Sequence, residues 1–156
     1  MLLRIIRNLT SEEVQERIRE FEKEFGMSFE RFEELFLKQR LDRRHARVYF
    51  DWAELVNSYK GYVEEGQLDY SVEEIKELKP EQAALLTQRR VELLCILASL
   101  RVDSINDLAK KARRNVKNVY QDLNVLSNLG FVKLNRRRGR NVVPETFVKE
   151  ITFLIR

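Results

Sequence analysis

The stretch VKNVYQDLNVLSNL, residues 116–129, holds the side chains best suited to chemistry in this sequence. Val116, Val119, Leu123 and Leu126 recur at spacings of a helical turn and make one apolar stripe. Lys117, Asn118, Gln121 and Asn124 point away from that stripe. A helix that needs only solubility normally presents Glu and Lys there. Amides and one ammonium at the start of a helix fit another task. Asn and Gln pair bidentately with adenine and Lys pairs with guanine, and the major groove is wide enough to admit the helix that carries them.

The charges around this stretch suit phosphates. Lys110, Lys111, Arg113 and Arg114 precede it and have no matching acids close in sequence, and Asn115 is placed to cap it. Tyr120 flanks the polar side, where its hydroxyl reaches a phosphate or its ring packs under the following hairpin. After Gly130 come two β-prone runs, FVKLN and NVVP, joined by a loop holding Arg136, Arg137, Arg138 and Arg140 around Gly139. Such a hairpin tip displaces counterions from a nucleic-acid backbone and holds register without reading much sequence. Residues 101–140 carry 11 basic and 3 acidic side chains, so attraction for a polyanion concentrates in this region.

The elements that must position these groups are legible in order. EQAALLTQRRVELLCILASL, residues 81–100, reads as one long helix. Ser104 caps INDLAKKAR, a turn follows, then the helix from 116, the hairpin, and a final strand EITFLIR. Helix, helix, turn, helix and hairpin is the order of a winged helix-turn-helix. Residues 90–143 resemble the MarR/ArsR-type winged helix, especially a group of archaeal transcriptional regulators. The likeness rests on Ile105, Leu108, Ala109, Arg114-Asn115, Lys117-Asn118-Val119, Asp122-Leu123, Leu126 and Leu129-Gly130-Phe131-Val132. It implies binding of double-stranded DNA and a homodimer. The sequence departs from the common regulators in lacking an obvious effector pocket.

The first half differs in charge. Residues 1–80 carry 14 Lys/Arg against 18 Asp/Glu, a balance of −4, whereas residues 81–156 carry 15 against 7, a balance of +8. MLLRIIRNL alternates as a strand and has neither the apolar run nor the cleavage site of a signal peptide. Thr10 with Glu13 makes a capping box before a helix that buries Val14, Ile18, Phe21 and Phe25 and stops at Gly26. Ser28 starts another, with Phe29, Phe32, Leu35 and Phe36 in phase. A third covers roughly 46–65, with Val48, Trp52, Leu55, Val56, Tyr59 and Val63 on its apolar side. Ser71 with Glu74 repeats the capping pattern and predicts a helix over EEIKELK.

The expected fold is therefore mainly α with a small β wing: a helical N-terminal domain over 1–79, for dimerisation or partner binding, and a winged helix-turn-helix over 80–156. The stretch EFEKEFGMSFERFEELF with FDWAELVNSY is similar to segments of prokaryotic antitoxins. That likeness implies a toxin-binding first half beside a second half that represses its own operon.

Other chemistry is poorly supplied. His45 is the sole histidine, and Cys95, the sole cysteine, falls in VELLCIL as a buried core thiol, so neither a zinc cluster nor a disulfide is expected. Arg40 and His45 have the spacing of the active motif of HEPN-type ribonucleases, a spacing that an arginine-rich chain produces by chance. Trp52, Tyr59 and Tyr62 fit a buried helix face better than a stacking platform for nucleic acid. No phosphate-binding glycine loop and no membrane span occurs, and no cofactor is implied. The expectation is a cytoplasmic, non-enzymatic DNA-binding regulator, most simply a repressor.

Overall fold

In the computed structural model, which describes residues 1–137, 139 and 141–156, the chain is mainly helical with a small amount of antiparallel sheet. In chain order the elements are β1 (Leu2–Asn8), α1 (Ser11–Phe25), α2 (Phe29–Leu37), α3 (Arg43–Glu65), β2 (Ser71–Glu77), α4 (Pro80–Ala83), α5 (Gln88–Ser99), α6 (Ile105–Ala112), α7 (Val116–Asn128), β3 (Lys133–Arg136), β4 (Val142–Glu145) and β5 (Val148–Leu154). They fall into two units, residues 8–72, and residues 1–7 with 73–156. The boundary expected between 79 and 80 is thereby corrected. Leu3, Ile5 and Leu78 are buried in one cluster with Leu93, Leu108 and Leu123, so residues 1–7 and 73–79 complete the core of the C-terminal helices.

Residues 8–72 are held by α3 packing on α1 and α2. The Thr10 hydroxyl accepts from the Glu13 amide at 3.2 Å, and the Glu13 carboxylate accepts from the Thr10 amide at 2.9 Å, closing the expected capping box. Ser28 caps α2 and Gly26, at φ +63°, ends α1. Asp42 accepts from the His45 amide at 2.8 Å and starts α3 at Arg43, slightly ahead of the expected residue 46. Trp52 is fully buried, its ring 5.4 Å from Phe21 and 5.1 Å from Phe32 between centroids. It is a core residue. Val63, expected on the buried side, is 66% exposed.

In the other unit a three-stranded sheet has the order β2-β1-β5. β1 and β5 run antiparallel with Leu2 opposite Leu154 and Ile5 opposite Ile151, and the register shifts at Ile6/Arg7. Alternation turns Leu3 and Ile5 into the core. Strand β2 replaces the helix expected from Ser71 and Glu74. The Arg7 guanidinium donates to the Glu74 carboxylate at 2.7 Å, and the Leu78 amide donates to the Met1 carbonyl at 2.8 Å. A partner strand distant in sequence outweighs a local capping pattern. Lys76 secures β2 further: its ammonium donates to the Leu129 carbonyl and lies 5.0 Å from the centre of the Phe131 ring.

The single helix expected over 81–100 is two. The chain breaks after Ala83, Thr87 adopts an extended conformation at φ −73°, ψ 161°, and α5 starts at Gln88. Arg90 donates to the Leu85 carbonyl at 2.9 Å, satisfying a group that a continuous helix would have bonded internally. On α5, Leu93 and Leu94 are buried, whereas Val91 is 43% exposed and Cys95 is exposed. The buried thiol read from VELLCIL is thus corrected. With apolar residues all round the helix, composition does not reveal which side faces inward.

Candidate nucleic-acid interface

Helices α5, α6 and α7 share one core, in which Leu108, Val119, Leu123 and Leu126 are wholly buried. The Ser104 hydroxyl accepts from the Asp107 amide at 3.0 Å and fixes the start of α6. Arg113 ends it in the left-handed region at φ 54°, ψ 47°. Its amide donates to the carbonyls of Ala109 and Lys110. The Asn115 side chain accepts from the Lys117 amide at 2.8 Å and caps α7. A sharp, internally bonded turn thus fixes the angle at which α7 leaves α6.

Of the polar residues expected on α7, Lys117, Asn118 and Gln121 are exposed and Asn124 is half-buried. Lys117, Asn118 and Gln121 have no side-chain hydrogen bond or ion pair among the described residues. Val116, expected in the buried stripe, is 43% exposed, because the stripe begins in effect at Val119. Tyr120 is 50% exposed beside the polar side.

The preceding cations divide into two kinds. Lys110 and Arg113 are exposed and unpaired among the described residues. With Asn106, Ala109, Arg114 and Val116 they line an open groove between α6 and the start of α7. Asn106 is not marked out by the sequence; only its place one residue into α6 could have pointed to it. Lys111 and Arg114 have acid partners, contrary to expectation. Lys111 donates to the Asp107 carboxylate at 2.7 Å and to the Arg101 carbonyl at 3.2 Å. The Lys111 ammonium, aided by the Asp103 amide, holds the Asp107 carboxyl below its ordinary pKa. Arg114 is 12% exposed and donates to one Asp122 oxygen at 2.5 Å, while Arg90 donates to the other at 2.9 Å. This pairing clamps α7 to α5 and to its own leading turn. Arg114 is a brace of the site, not a free cation on it.

The hairpin is β3 and β4, antiparallel with Lys133 opposite Glu145 and Arg136 opposite Val142. Its loop closes where the Arg137 amide donates to the Asn141 carbonyl at 2.9 Å, and Gly139 takes φ +81°. Arg136 is exposed and unpaired among the described residues. Arg137, with 58% of its side chain exposed, reaches Glu145 at 3.5 Å, an ion pair of little strength. Arg138 and Arg140 lie outside the described residues. The Asn141 side chain donates to the Asp103 carbonyl at 3.3 Å and moors the loop to the segment before α6.

In residues 8–72, Arg40 lies in the connection between α2 and α3, and His45, in the first turn of α3, bonds through Nδ1 to Asp42 at 2.9 Å. The histidine serves the helix start. Among the described residues there is no group of three or more His, Cys, Asp or Glu able to hold a metal, and no helix long and apolar enough to cross a membrane.

Residues 85–153 match the protein family described as HVO_A0114. The match runs from the turn before α5 into β5, and so takes in every residue of the interface just described. No curated protein and no solved structure matches the chain.

The turn itself offers a test of how function and stability divide. A non-glycine residue in the left-handed region is strained by about 1 kcal/mol or more. Arg113→Gly should therefore raise stability by up to about 1 kcal/mol in urea denaturation while removing a cation from the groove. A variant that loses stability would contradict the backbone conformation assigned to Arg113.

Proposed function

We propose that this protein is a sequence-specific binder of double-stranded DNA that regulates transcription, built as a winged helix-turn-helix. In this reading α6 and α7 are the helix-turn-helix, α7 enters the major groove, and the β3–β4 hairpin is the wing. The single observation that carries it is the exposed, unpaired Lys117-Asn118-Gln121 side at the start of α7, next to a basic groove and an arginine-bearing hairpin. Amide side chains left without protein partners on a rigid helix are what base edges require. Lys110, Arg113, Arg136 and Arg137 supply phosphate contacts, and the free N–H groups at the start of α7 add to them. Asn115, Lys111 and Arg114 hold the helix in place. Asn124 reads bases only at the edge of the footprint, and Tyr120 lies against the backbone. A homodimer paired along the outer side of α5, where Val91 and Cys95 are uncovered, would set two reading helices on half-sites separated by a whole number of DNA turns.

Salt dependence tests the wing. Each phosphate that the protein ceases to neutralise reduces the slope of log affinity against log salt by about 0.9 on duplex DNA. Arg136→Ala with Arg137→Ala should flatten the slope by about 2 and weaken all duplexes alike. An unchanged slope removes the hairpin from the interface.

A further inference from the structure

The acidic first half holds a basic face that the proposed function does not use. Lys38, Arg40, Arg43, Arg44 and Arg47 fall within ten residues at the α2–α3 corner. The one acid among them, Asp42, is committed to His45, whose amide and ring nitrogen it accepts at 2.8 and 2.9 Å. The guanidinium groups of Arg40, Arg43, Arg44 and Arg47 have no hydrogen-bond or ion-pair partner among the described residues. Arg43, Arg44 and Arg47, with Ala46 and Phe50, line an open groove. Phe50 is 62% exposed, yet its ring is held, edge-on to Phe36 at 5.5 Å and to Tyr49 at 5.4 Å. Phe36 and Tyr49 are themselves stacked at 3.9 Å, which makes a rigid base for it.

We propose that this face binds single-stranded nucleic acid, an unpaired base stacking on Phe50 while Arg43, Arg44 and Arg47 neutralise the flanking phosphates. Burial gives no reason to leave a phenylalanine standing among free guanidinium groups; a polyanion with flat faces supplies one. A second copy of the chain meeting the same face would set these arginines against their own images, which like-charge repulsion disfavours. A basic toxin would be repelled for the same reason. An apolar peptide anchor needs a closed pocket to fill, and Phe50 stands beside an open groove, whereas a base needs only a ring to lie on.

The experiment uses the full chain carrying Lys117→Ala, Asn118→Ala and Gln121→Ala, so that the α7 side contributes little, with fluorescein-labelled dodecamers of thymidylate and of uridylate read by anisotropy. Phe50→Leu should weaken binding about tenfold or more, and Phe50→Trp should retain it. Removing Arg43, Arg44 and Arg47 should flatten the salt slope by about 2, at about 0.7 per phosphate on a single strand. A preference for either dodecamer supports the assignment and says whether the strand is RNA or DNA. Undiminished binding by Phe50→Leu overturns it, as does failure of the parent to bind either strand. Displacement by oligoglutamate as effective as by unlabelled oligonucleotide overturns it too, and assigns the face to an acidic protein.

Discussion

Lys117→Ala, Asn118→Ala and Gln121→Ala together should abolish the distinction between a preferred duplex and a scrambled one while leaving the protein folded. Each good base contact is worth about 1–3 kcal/mol of discrimination. Loss of even two costs the preferred duplex about thirtyfold or more, whereas the scrambled duplex loses only the Lys117 charge. The three side chains are exposed and carry no internal bond, so stability has no reason to fall. It should rise slightly, because alanine favours helix over asparagine, lysine and glutamine. Collapse of preference with an unchanged or higher melting temperature marks a binding residue. The check is equilibrium binding at one fixed salt concentration, to a duplex selected from a random pool and to its scramble. Equal losses on both duplexes would reduce the α7 side to a phosphate contact.

Asp122→Ala should damage the C-terminal helices as much as truncating one of their buried core leucines. The carboxylate takes Arg90 on one oxygen and Arg114 on the other, and all three side chains are less than a fifth exposed. Removing one member of a buried ion-pair set leaves charge uncompensated and costs about 3–5 kcal/mol. Here two guanidinium groups would be stranded, and Arg114 already has a buried nitrogen, Nη1, without a hydrogen-bond partner. Urea denaturation should show a loss of about 3 kcal/mol or more for Asp122→Ala, and less for Asp122→Asn, which keeps the shape and some hydrogen bonding. DNA binding should fall for all sequences at temperatures where the variant stays folded, since the clamp orients α7 and touches no base. A loss under about 1 kcal/mol would contradict the clamp.

Much of this arrangement was legible because it is local. Thr10, Ser28, Ser104 and Asn115 cap helices where their spacing says they should, and each accepts a backbone N–H within three residues. The hairpin follows from two β-prone runs about a basic loop with glycine, and β3 and β4 pair there. What escaped depends on partners distant in sequence. Ser71 and Glu74 spell a helix start, but Glu74 belongs to Arg7 and residues 71–77 pair as a strand. Arg114 reads as a free cation until Arg90, twenty-four residues earlier, is seen to share Asp122 with it. Cys95 shows the converse: in a run apolar on every side, only the neighbours that α5 meets decide which way it faces.

The most direct measurement is the side-chain amide spectrum of the nitrogen-15-labelled chain titrated with the selected duplex. The Asn118 and Gln121 NH2 resonances should shift strongly and slow their exchange with water, together with the backbone amides that open α7. Shifts confined to the hairpin and to basic residues elsewhere, with Asn118 and Gln121 unmoved, would mean that the amide side of α7 does not enter the groove.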